Sequence, residues 1–382
     1  MFGRHGSRFP LETELPELIR VVTAIHNQIL TNYNQGRASI CASDFDLFRN
    51  WQFDPNITMD VASNLSPSGW NEMEALAQRY QAAFPSILPS TYSPKDYFFR
   101  GARYERMEYS LHAFADGLFG VDGYEQAQFE EIPEPDFFMR SFSYCSLYQD
   151  IIQRIERDAF AEGPEYQEMV MQVSAKLGFH NSNVLRNSEI ALLAVYCLYE
   201  QTWNLNYTDP SPFCAAFSVA NAQVIEYSRD LEWYYRIGYG EQEHRRLYEN
   251  LMCFPLQDML RFMQSNDAND HKARIFNGHV SQFLILLHFD AFDGDAILTR
   301  HNFAQQTQRV WRSTDILPMA ANLVVIRYDG ADGDNDLLFL FNEKPLKIPG
   351  CDSNGVCKQS LILKRFNRYL NSNCLEVACT SS

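Results

Sequence analysis

The feature that most constrains this chain is a seven-residue segment near its beginning, Arg4–Pro10, with the sequence RHGSRFP. The neutral imidazole of His5 can attack a phosphorus atom, provided that the charge on the phosphoryl oxygens is neutralised. Arg4 and Arg8 carry forked donors suited to those oxygens, and Gly6 lets the backbone approach a phosphate closely. The alternative is a surface turn in which arginines flank a histidine by chance. The length of the motif favours a phosphate site.

Hydrophobic periodicity predicts three helices in the first third of the chain. The first follows Pro16, which the first helical turn tolerates, and places apolar residues at helical spacing from Leu18 to Ile29. The second is predicted over about 70–83, before a Phe-Pro pair, and the third over about 104–118, before a glycine. Each helix presents an apolar face that must pack on a core.

The middle and the end of the chain differ in their patterns. Residues from about 120 to 258 are predicted to be mostly helical, whereas Leu323–Tyr328 and Leu337–Phe341 are predicted to be two strands of a hairpin. The acidic stretch Asp329–Asp336 is predicted to be an exposed turn rather than a calcium loop, since strands flank it and it lacks the glutamate of an EF-hand. The helical middle is therefore interpreted as an insertion into a split α/β core.

Composition limits the class of protein. With 46% hydrophobic residues in 382, the chain can bury a large core. Its longest apolar run, Ala191–Tyr199, is far shorter than the roughly 18 residues that a transmembrane helix needs, so no membrane span is predicted. The net charge of −16 argues against nucleic acid as a partner, but a local arginine cluster can still bind a small anionic substrate.

The nine cysteines predict disulfides, because no C-x-x-C spacing suggests a zinc or redox site. The pairs Cys351 with Cys357 and Cys374 with Cys379 can each close a short loop, although connectivity stays open and one cysteine must remain unpaired. Three candidate glycosylation sites are Asn56, Asn64 and Asn206. These features favour the secretory pathway: the endoplasmic reticulum lumen, secretion or membrane association. No leader follows Met1, so a signal peptide is expected upstream of it.

Arg4–Pro10 resembles the nucleophile motif of the histidine acid phosphatases, which include phytases, lysosomal and prostatic acid phosphatases and multiple inositol polyphosphate phosphatases. The resemblance implies that His5 is the nucleophile and that Arg4 and Arg8 bind the phosphate. Further stretches resemble the last subgroup and extend the similarity over nearly the whole chain: Phe160–Glu165, Ser211–Cys214, Asp230–Gly240 and Phe341–Lys344.

The resemblance also implies the fold. We expect a three-layer α/β core with a central mixed sheet, as in phosphoglycerate mutase-like proteins, formed by residues 1–119 and 265–382. Residues 120–264 are expected to form a mainly α-helical inserted domain. In the family a buried strand precedes the histidine motif, and only Met1–Gly3 remain of it here, so the first strand is expected to be truncated.

A third phosphate-binding arginine is implied at the start of the helix near residue 105. The segment Phe99–Arg106 matches the family there, with Arg106 at the functional position. Arg100 and Arg103 are additional charges close to a helix N-terminus, where anions are favoured. Both interpretations stay open for them: contacts to additional phosphates, with Arg103 as the candidate, or ordinary solvated arginines.

The sequence departs from the family pattern at one position late in the chain. The family has a histidine that binds phosphate, followed by Asp or by Ala-Glu, whose acid protonates the leaving alkoxide. Here His279 is retained, but Ser281 occupies the acid position. Serine cannot donate a proton at useful acidity, so reduced activity is expected. Asp290, Asp293 and Asp295 follow an apolar stretch and are predicted to be surface residues rather than replacements.

Two functions follow from this pattern. The first is a phosphomonoesterase that acts through a phosphohistidine on inositol polyphosphates, with 2,3-bisphosphoglycerate as a further candidate substrate and no metal or cofactor. The alternative is a non-catalytic relative that binds polyphosphates, supported by the missing acid. A phosphoglycerate mutase fits poorly, since mutases are shorter and lack a large helical insertion.

Overall fold

The fold is built on one mixed β-sheet. The computed structural model describes residues 1–151, 154–203 and 210–381. The strands within these residues are β1 (Phe2–Arg4), β2 (Tyr97–Gly101), β3 (Ala273–Gly278), β4 (Asn322–Tyr328), β5 (Asp336–Phe341), β6 (Lys344–Pro345) and β7 (Val356–Lys358). The sheet order is β2-β3-β1-β4-β5-β6, and β7 pairs with β5.

Helices account for most of the remaining regular structure. Their bounds are α1 (Leu15–Asn34), α2 (Ala42–Asn50), α3 (Pro67–Ala83), α4 (Glu105–Phe119), α5 (Phe137–Arg140), α6 (Ser146–Ile151), α7 (Ile155–Ala161), α8 (Pro164–Lys176), α9 (Asn187–Trp203), α10 (Val219–Ile237), α11 (Arg245–Leu251), α12 (Cys253–Gln264), α13 (Ser313–Ile316), α14 (Gln359–Arg365), α15 (Asn367–Leu370) and α16 (Cys374–Val377). Among the described residues, no helix is both long and apolar enough to cross a membrane.

The centre of the sheet determines where the site can form. β1 pairs in parallel with β3, where Arg4 lies opposite Gly278, and it pairs antiparallel with β4. β2 also runs parallel to β3, with Gly101 opposite Asn277. The three parallel strands therefore end at one edge of the sheet, which is where open α/β sheets bind ligands.

Helices cover both faces of the sheet. On one face, Met73 of α3 and Phe114 of α4 belong to an apolar cluster with the strand residue Phe99. On the other face, Phe276 stacks on Phe2 with ring centroids 5.0 Å apart and packs against Phe138 of α5 at 4.9 Å. Burying each phenylalanine stabilises the fold by about 1.5–3 kcal/mol. The predicted mixed sheet between helical layers is confirmed.

The three helices predicted early in the chain are present as α1, α3 and α4. α3 begins at Pro67, before the predicted start near residue 70, because the Ser66 side chain caps it and accepts a hydrogen bond from the Gly69 amide at 3.1 Å. The predicted hairpin is also present, since β4 and β5 pair antiparallel. Lys358 lies 3.0 Å from both Asp332 and Asp336 and partly neutralises the acidic turn.

The segment from residue 120 to residue 264 is helical in its regular elements, as predicted. One continuous apolar cluster nevertheless links it to the sheet, joining Phe160 and Tyr227 in the helical segment to Phe276 and Leu323 in the strands. The division into a core and an inserted domain at residues 119/120 and 264/265 therefore stays a prediction.

The structure pairs eight cysteines, and one predicted pair is wrong. The bridges are Cys145–Cys379, Cys197–Cys214, Cys253–Cys374 and Cys351–Cys357. The local loop from Cys351 to Cys357 closes as expected. Cys374 and Cys379 do not pair with each other, because each lies against a cysteine of the helical segment and fastens the C-terminal tail to it. Cys41 is the free, exposed cysteine of the described residues.

The candidate glycosylation sites differ in their surroundings. Asn56 is exposed, whereas Asn64 is partly buried, and its side chain donates to the Asp60 carbonyl at 3.3 Å. Ser66, which completes the Asn64 tripeptide, is 1% exposed and caps α3. Asn56 is therefore the better acceptor of these two. Asn206 lies outside the described residues.

His288 is a buried histidine that does not belong to the group of residues at the edge of the sheet, and it predicts that the stability of the fold depends on pH. His288 lies against Tyr369 and Phe366, and its Nε2 donates to the Glu249 carbonyl at 3.0 Å. Burial, reinforced by Arg368, lowers its pKa from 6.5 to about 3. Below pH 6.5 the unfolded chain binds a proton there and the folded chain does not, so stability falls as the pH decreases.

We expect His288→Gln to weaken that dependence, because glutamine retains an N–H donor but does not titrate. Between pH 6 and 4 the free energy of unfolding of the parent should fall more steeply than that of the variant, by about 1 kcal/mol per pH unit. Urea unfolding at several pH values measures both slopes. Parallel slopes would show that His288 is protonated in the folded protein.

Candidate active site

The predicted site residues lie at the edge where the parallel strands end. His5 follows β1 and His279 follows β3, and the His5 amide donates to the Gly278 carbonyl at 3.1 Å. Arg106 lies in the first turn of α4, which follows β2 after a short connection. The sheet topology thus brings together residues that are more than 270 positions apart in the sequence.

His5 has the properties of a nucleophile. Its side chain is buried, and Nδ1 lies 2.8 Å from the Gly6 carbonyl. A carbonyl only accepts, so Nδ1 carries the proton and Nε2 keeps its lone pair. Burial, together with the positive charge of Arg4, holds the pKa of His5 well below its usual value. The imidazole is therefore neutral, as attack on phosphorus requires.

Close backbone packing fixes the motif. The Gly6 amide donates to Ser110 Oγ at 3.0 Å, and Ser110 Oγ donates to the Arg106 carbonyl at 2.6 Å. Glu72 of α3 accepts from both the amide and the hydroxyl of Ser7, at 2.8 and 2.7 Å. A Cβ atom on Gly6 would lie 2.4 Å from the Gly69 carbonyl oxygen, so the start of α3 leaves room only for glycine.

The predicted phosphate ligands form a cluster of cations. Arg8 donates to the Phe9 carbonyl at 2.7 Å, and its guanidinium lies 5.7 Å from the centre of the Tyr199 ring. Arg4 donates to the Leu317 carbonyl, and Arg106 has a contact of 3.3 Å to the Ser63 carbonyl. In the described part of the chain, no carboxylate forms an ion pair with any of these three arginines.

Crowding and burial lower the proton affinity of this cluster. Burial, with further contributions from Arg8 and Arg229, lowers the pKa of Arg4 to about 9. Burial and Arg8 likewise lower the pKa of Arg106 to about 10. Both groups remain charged at neutral pH, and their Nε atoms are buried without a hydrogen-bond partner in the described residues. An anion held among these guanidinium groups would relieve their mutual repulsion.

His279 lies close to the same cluster. Its ring packs edge-on against Tyr104, with centroids 5.6 Å apart, and against Phe142 at 6.4 Å. Burial lowers its pKa to about 3, and Arg106 and Arg140 add to the effect. Its Nε2 is buried and has no partner among the described residues. This ring nitrogen is available to a bound phosphate.

The acid position is occupied by Ser281, which cannot act as an acid. Ser281 lies in the 3₁₀ helix Val280–Phe289, and its side chain is close to that of Tyr148. Tyr148 in turn donates to the Arg236 carbonyl at 2.9 Å. Burial raises the pKa of Tyr148 to about 12, so this pair is a poor source of protons.

The aspartates that follow the apolar stretch have other partners or face solvent. Asp290 bridges Arg245 at 2.7 Å and Arg365 at 2.5 Å. Asp295 accepts from the Val310 and Trp311 amides, both at 2.7 Å, and Asp293 is exposed.

The two additional arginines before Arg106 differ from the cluster in that each pairs with a carboxylate. Arg103 is exposed and pairs with Glu134 at 3.3 Å. Arg100 pairs with the buried Asp136 at 2.6 Å. The structure adds two cations that the sequence pattern missed, Arg140 at the end of α5 and Arg229 on α10. Neither belongs to a motif, so only tertiary structure reveals them.

Comparison with known proteins agrees with the family resemblance of the sequence motifs. The chain matches the histidine phosphatase superfamily (branch 2) over residues 1–342. It is 32% identical to multiple inositol polyphosphate phosphatase 1 of Drosophila melanogaster over 390 residues, covering 99% of this chain and 80% of the relative. The Homo sapiens protein of the same name is 24% identical over 374 residues, covering 90% of this chain and 74% of the relative.

Solved structures share the fold at low identity. The phytase from D. castellii has a TM-score of 0.75 at 15% identity, covering 100% of this chain and 81% of that one. A Bifidobacterium longum multiple inositol polyphosphate phosphatase, in complex with inositol hexasulfate, has a TM-score of 0.66 at 13% identity, covering 95% of this chain and 90% of that one. The family match and the Drosophila relative each extend over most of the sequence, and by both measures this chain is a phosphatase of the histidine phosphatase superfamily, branch 2.

Proposed function

We propose that this protein hydrolyses phosphate monoesters of inositol polyphosphates through a phosphohistidine on His5. The observation that carries the proposal is the buried, neutral His5 beside arginines that have no carboxylate partner in the described ranges. Such a cluster neutralises the equatorial oxygens of a phosphoryl group while an imidazole attacks it. In this proposal Arg4, Arg8, Arg106 and His279 bind the phosphate that is cleaved.

The reaction has two steps. In the first, His5 Nε2 forms a bond to phosphorus, the ester P–O bond breaks, and the inositol oxygen leaves with the electron pair and takes up a proton. In the second, water attacks the phosphorus, the P–N bond breaks, and inorganic phosphate is released as His5 is regenerated. The arginines supply the charge neutralisation in both steps, so the proposal requires no metal or cofactor.

The first step is expected to be slow. An inositol alkoxide is a poor leaving group, and a positioned general acid typically contributes about 10²- to 10⁴-fold to such a step. Ser281 cannot supply that proton. The same observation supports a second candidate function, a protein that binds polyphosphates with little turnover.

The substrate class is supported by two arguments. Several guanidinium groups close together favour a ligand with more than one phosphate, and the curated relatives carry the name multiple inositol polyphosphate phosphatase 1. We propose inositol polyphosphates as the substrates, with 2,3-bisphosphoglycerate as a further candidate.

Binding and turnover are measured separately. We expect calorimetry to show binding of inositol hexakisphosphate, and a phosphate assay to show slow release that is absent in His5→Ala. Binding without release in the parent would support the second function. Release that persists in His5→Ala would exclude the phosphohistidine mechanism, and absence of both binding and release would refute the proposed substrate class.

We infer that the protein folds in the secretory pathway, in the endoplasmic reticulum lumen or beyond it, because four disulfides persist only in an oxidising compartment. The intact mass of the protein from its own cells, after thiol alkylation without reduction, tests this. We expect alkylation of Cys41 alone and a glycan on Asn56. Alkylation of all nine cysteines without a glycan would place the protein in the cytosol.

A further inference from the structure

We propose that Arg140 binds a second, non-scissile phosphate of the substrate. This inference rests on the proposed function and specifies which part of the helical segment recognises a polyphosphate. Arg140 is the last residue of α5, a short helix that lies outside the motifs recognised in the sequence.

The position of Arg140 relative to the site is defined by Tyr104. The Arg140 guanidinium carbon lies 5.3 Å from the centre of the Tyr104 ring, and that of Arg106 lies 4.9 Å from the same centre. The Tyr104 ring also packs edge-on against His279. One aromatic ring therefore contacts two of the proposed ligands of the scissile phosphate and Arg140 as well. The proposal therefore places Arg140 beside the first phosphate position.

The conformation of Tyr104 supports a functional role. Its φ of 113° lies in the region that favours glycine, and its side chain is half exposed. A bulky residue held in that region costs about 1–3 kcal/mol, and such residues cluster at ligand sites. The strained backbone holds the ring close to both guanidinium groups.

The guanidinium of Arg140 is available to an anion. In the described residues it has no carboxylate partner, and its Nε is buried without a hydrogen bond. Within the described ranges the guanidinium donates to Ser143 Oγ at 3.4 Å. Its charge acts on His279, since it is among the groups that lower the pKa of that histidine.

The segment that carries Arg140 is held rigidly. Asp136 caps α5 by accepting from the Met139 amide at 3.0 Å, and it pairs with Arg100 of β2 at 2.6 Å. Gln282, three residues after His279, donates to Met139 Sδ at 3.4 Å. The helix is thereby fastened to β2 and to the 3₁₀ helix that follows β3. Arg100 acts as a positioning residue for Arg140 rather than as a phosphate ligand.

Two ligands test whether Arg140 binds a second phosphate or the scissile one. Inositol hexasulfate has several anionic groups, whereas inorganic phosphate is a single phosphate. We expect Arg140→Ala to weaken binding of inositol hexasulfate by about 10- to 100-fold, the range for a charged hydrogen bond. Binding of inorganic phosphate should change less than about twofold, because its proposed ligands are untouched. Arg140→Met, which keeps the aliphatic stem over Tyr104, should behave in the same way, and thermal unfolding checks the fold of both variants.

Arg103→Ala is the matched control, since it removes an exposed arginine next to Tyr104 that already pairs with Glu134. It should leave both affinities unchanged. Equal weakening for both ligands in the Arg140 variants would place Arg140 at the scissile phosphate and overturn the inference, as would no weakening for either. If the parent binds neither ligand, the proposed function fails first and this inference fails with it.

Discussion

Replacing Ser281 by glutamate is expected to raise the rate of phosphate release from inositol hexakisphosphate by about 10²- to 10⁴-fold, the usual contribution of a general acid. The reason is local. The proposed nucleophile, His5, is neutral and buried beside a cluster of arginines, so a proton donor is the component that the proposed mechanism still needs.

The geometry around Ser281 supports this prediction. Ser281 is only partly buried, so the position is not enclosed by the core, and it follows His279 by two residues at the carboxyl end of β3. Its side chain lies close to that of Tyr148. A glutamate there has three rotatable side-chain bonds and can turn toward the leaving oxygen of a phosphate bound at His279. The neighbouring arginines would hold its pKa low, which limits the gain at neutral pH and favours acidic pH.

The control is Ser281→Gln, which has nearly the same shape as the glutamate variant and no acidic proton. Initial rates from pH 4 to 7 should show the gain in the glutamate variant only, with a falling limb where its carboxyl ionises. Equal rates in both variants would mean that shape rather than acidity had changed, and an unchanged rate in the glutamate variant would mean that another group already donates the proton.

Much of the site could be predicted from the sequence because its chemistry is concentrated in short motifs. His5 and His279 each follow a strand, and parallel neighbouring strands end at the same edge, so their approach follows from the topology. Arg106 lies in the helix that follows β2, and β2 is also parallel to β3, so Arg106 reaches the same edge for the same reason. The early helices and the late hairpin were predictable because their periodicity is local, whereas the mixed sheet was expected from the family resemblance.

The remaining features depend on contacts that no local pattern encodes. Cys374 and Cys379 are close enough in sequence to pair, but tertiary structure places Cys253 and Cys145 beside them. Arg103 and Arg140 illustrate the same limit. Arg103 lies next to the motif and faces Glu134 in solvent, whereas Arg140 is distant in sequence and lies beside the site.

Gly6→Ala is expected to lower kcat/KM for phosphate release by about 10²-fold, because displacing a catalytic group by about 1 Å costs that much. A methyl group on Gly6 would lie 2.4 Å from the Gly69 carbonyl oxygen and 2.9 Å from the Gly69 carbonyl carbon and Cα. All of these are backbone atoms at the start of α3, so no side chain can move aside. Either the His5 loop or the helix must shift.

The shift acts directly on the nucleophile. The Gly6 carbonyl accepts from His5 Nδ1, and the Gly6 amide is tied through Ser110 to the backbone of Arg106. Moving Gly6 therefore changes both the hydrogen bond that sets the tautomer of His5 and the distance between His5 and Arg106. Overpacking should also destabilise the fold by about 1–3 kcal/mol.

Gly101→Ala separates the two effects. Gly101 ends β2 at the same edge of the sheet, but its added methyl group would meet Leu111 Cδ1 at 3.4 Å, an ordinary contact. Kinetics in the Ser281→Glu background, where release is expected to be fast, should show a large loss for Gly6→Ala and little change for Gly101→Ala. Normal kcat/KM in a folded Gly6→Ala variant would mean that the close approach of α3 supports stability alone, and that His5 is positioned by its strand.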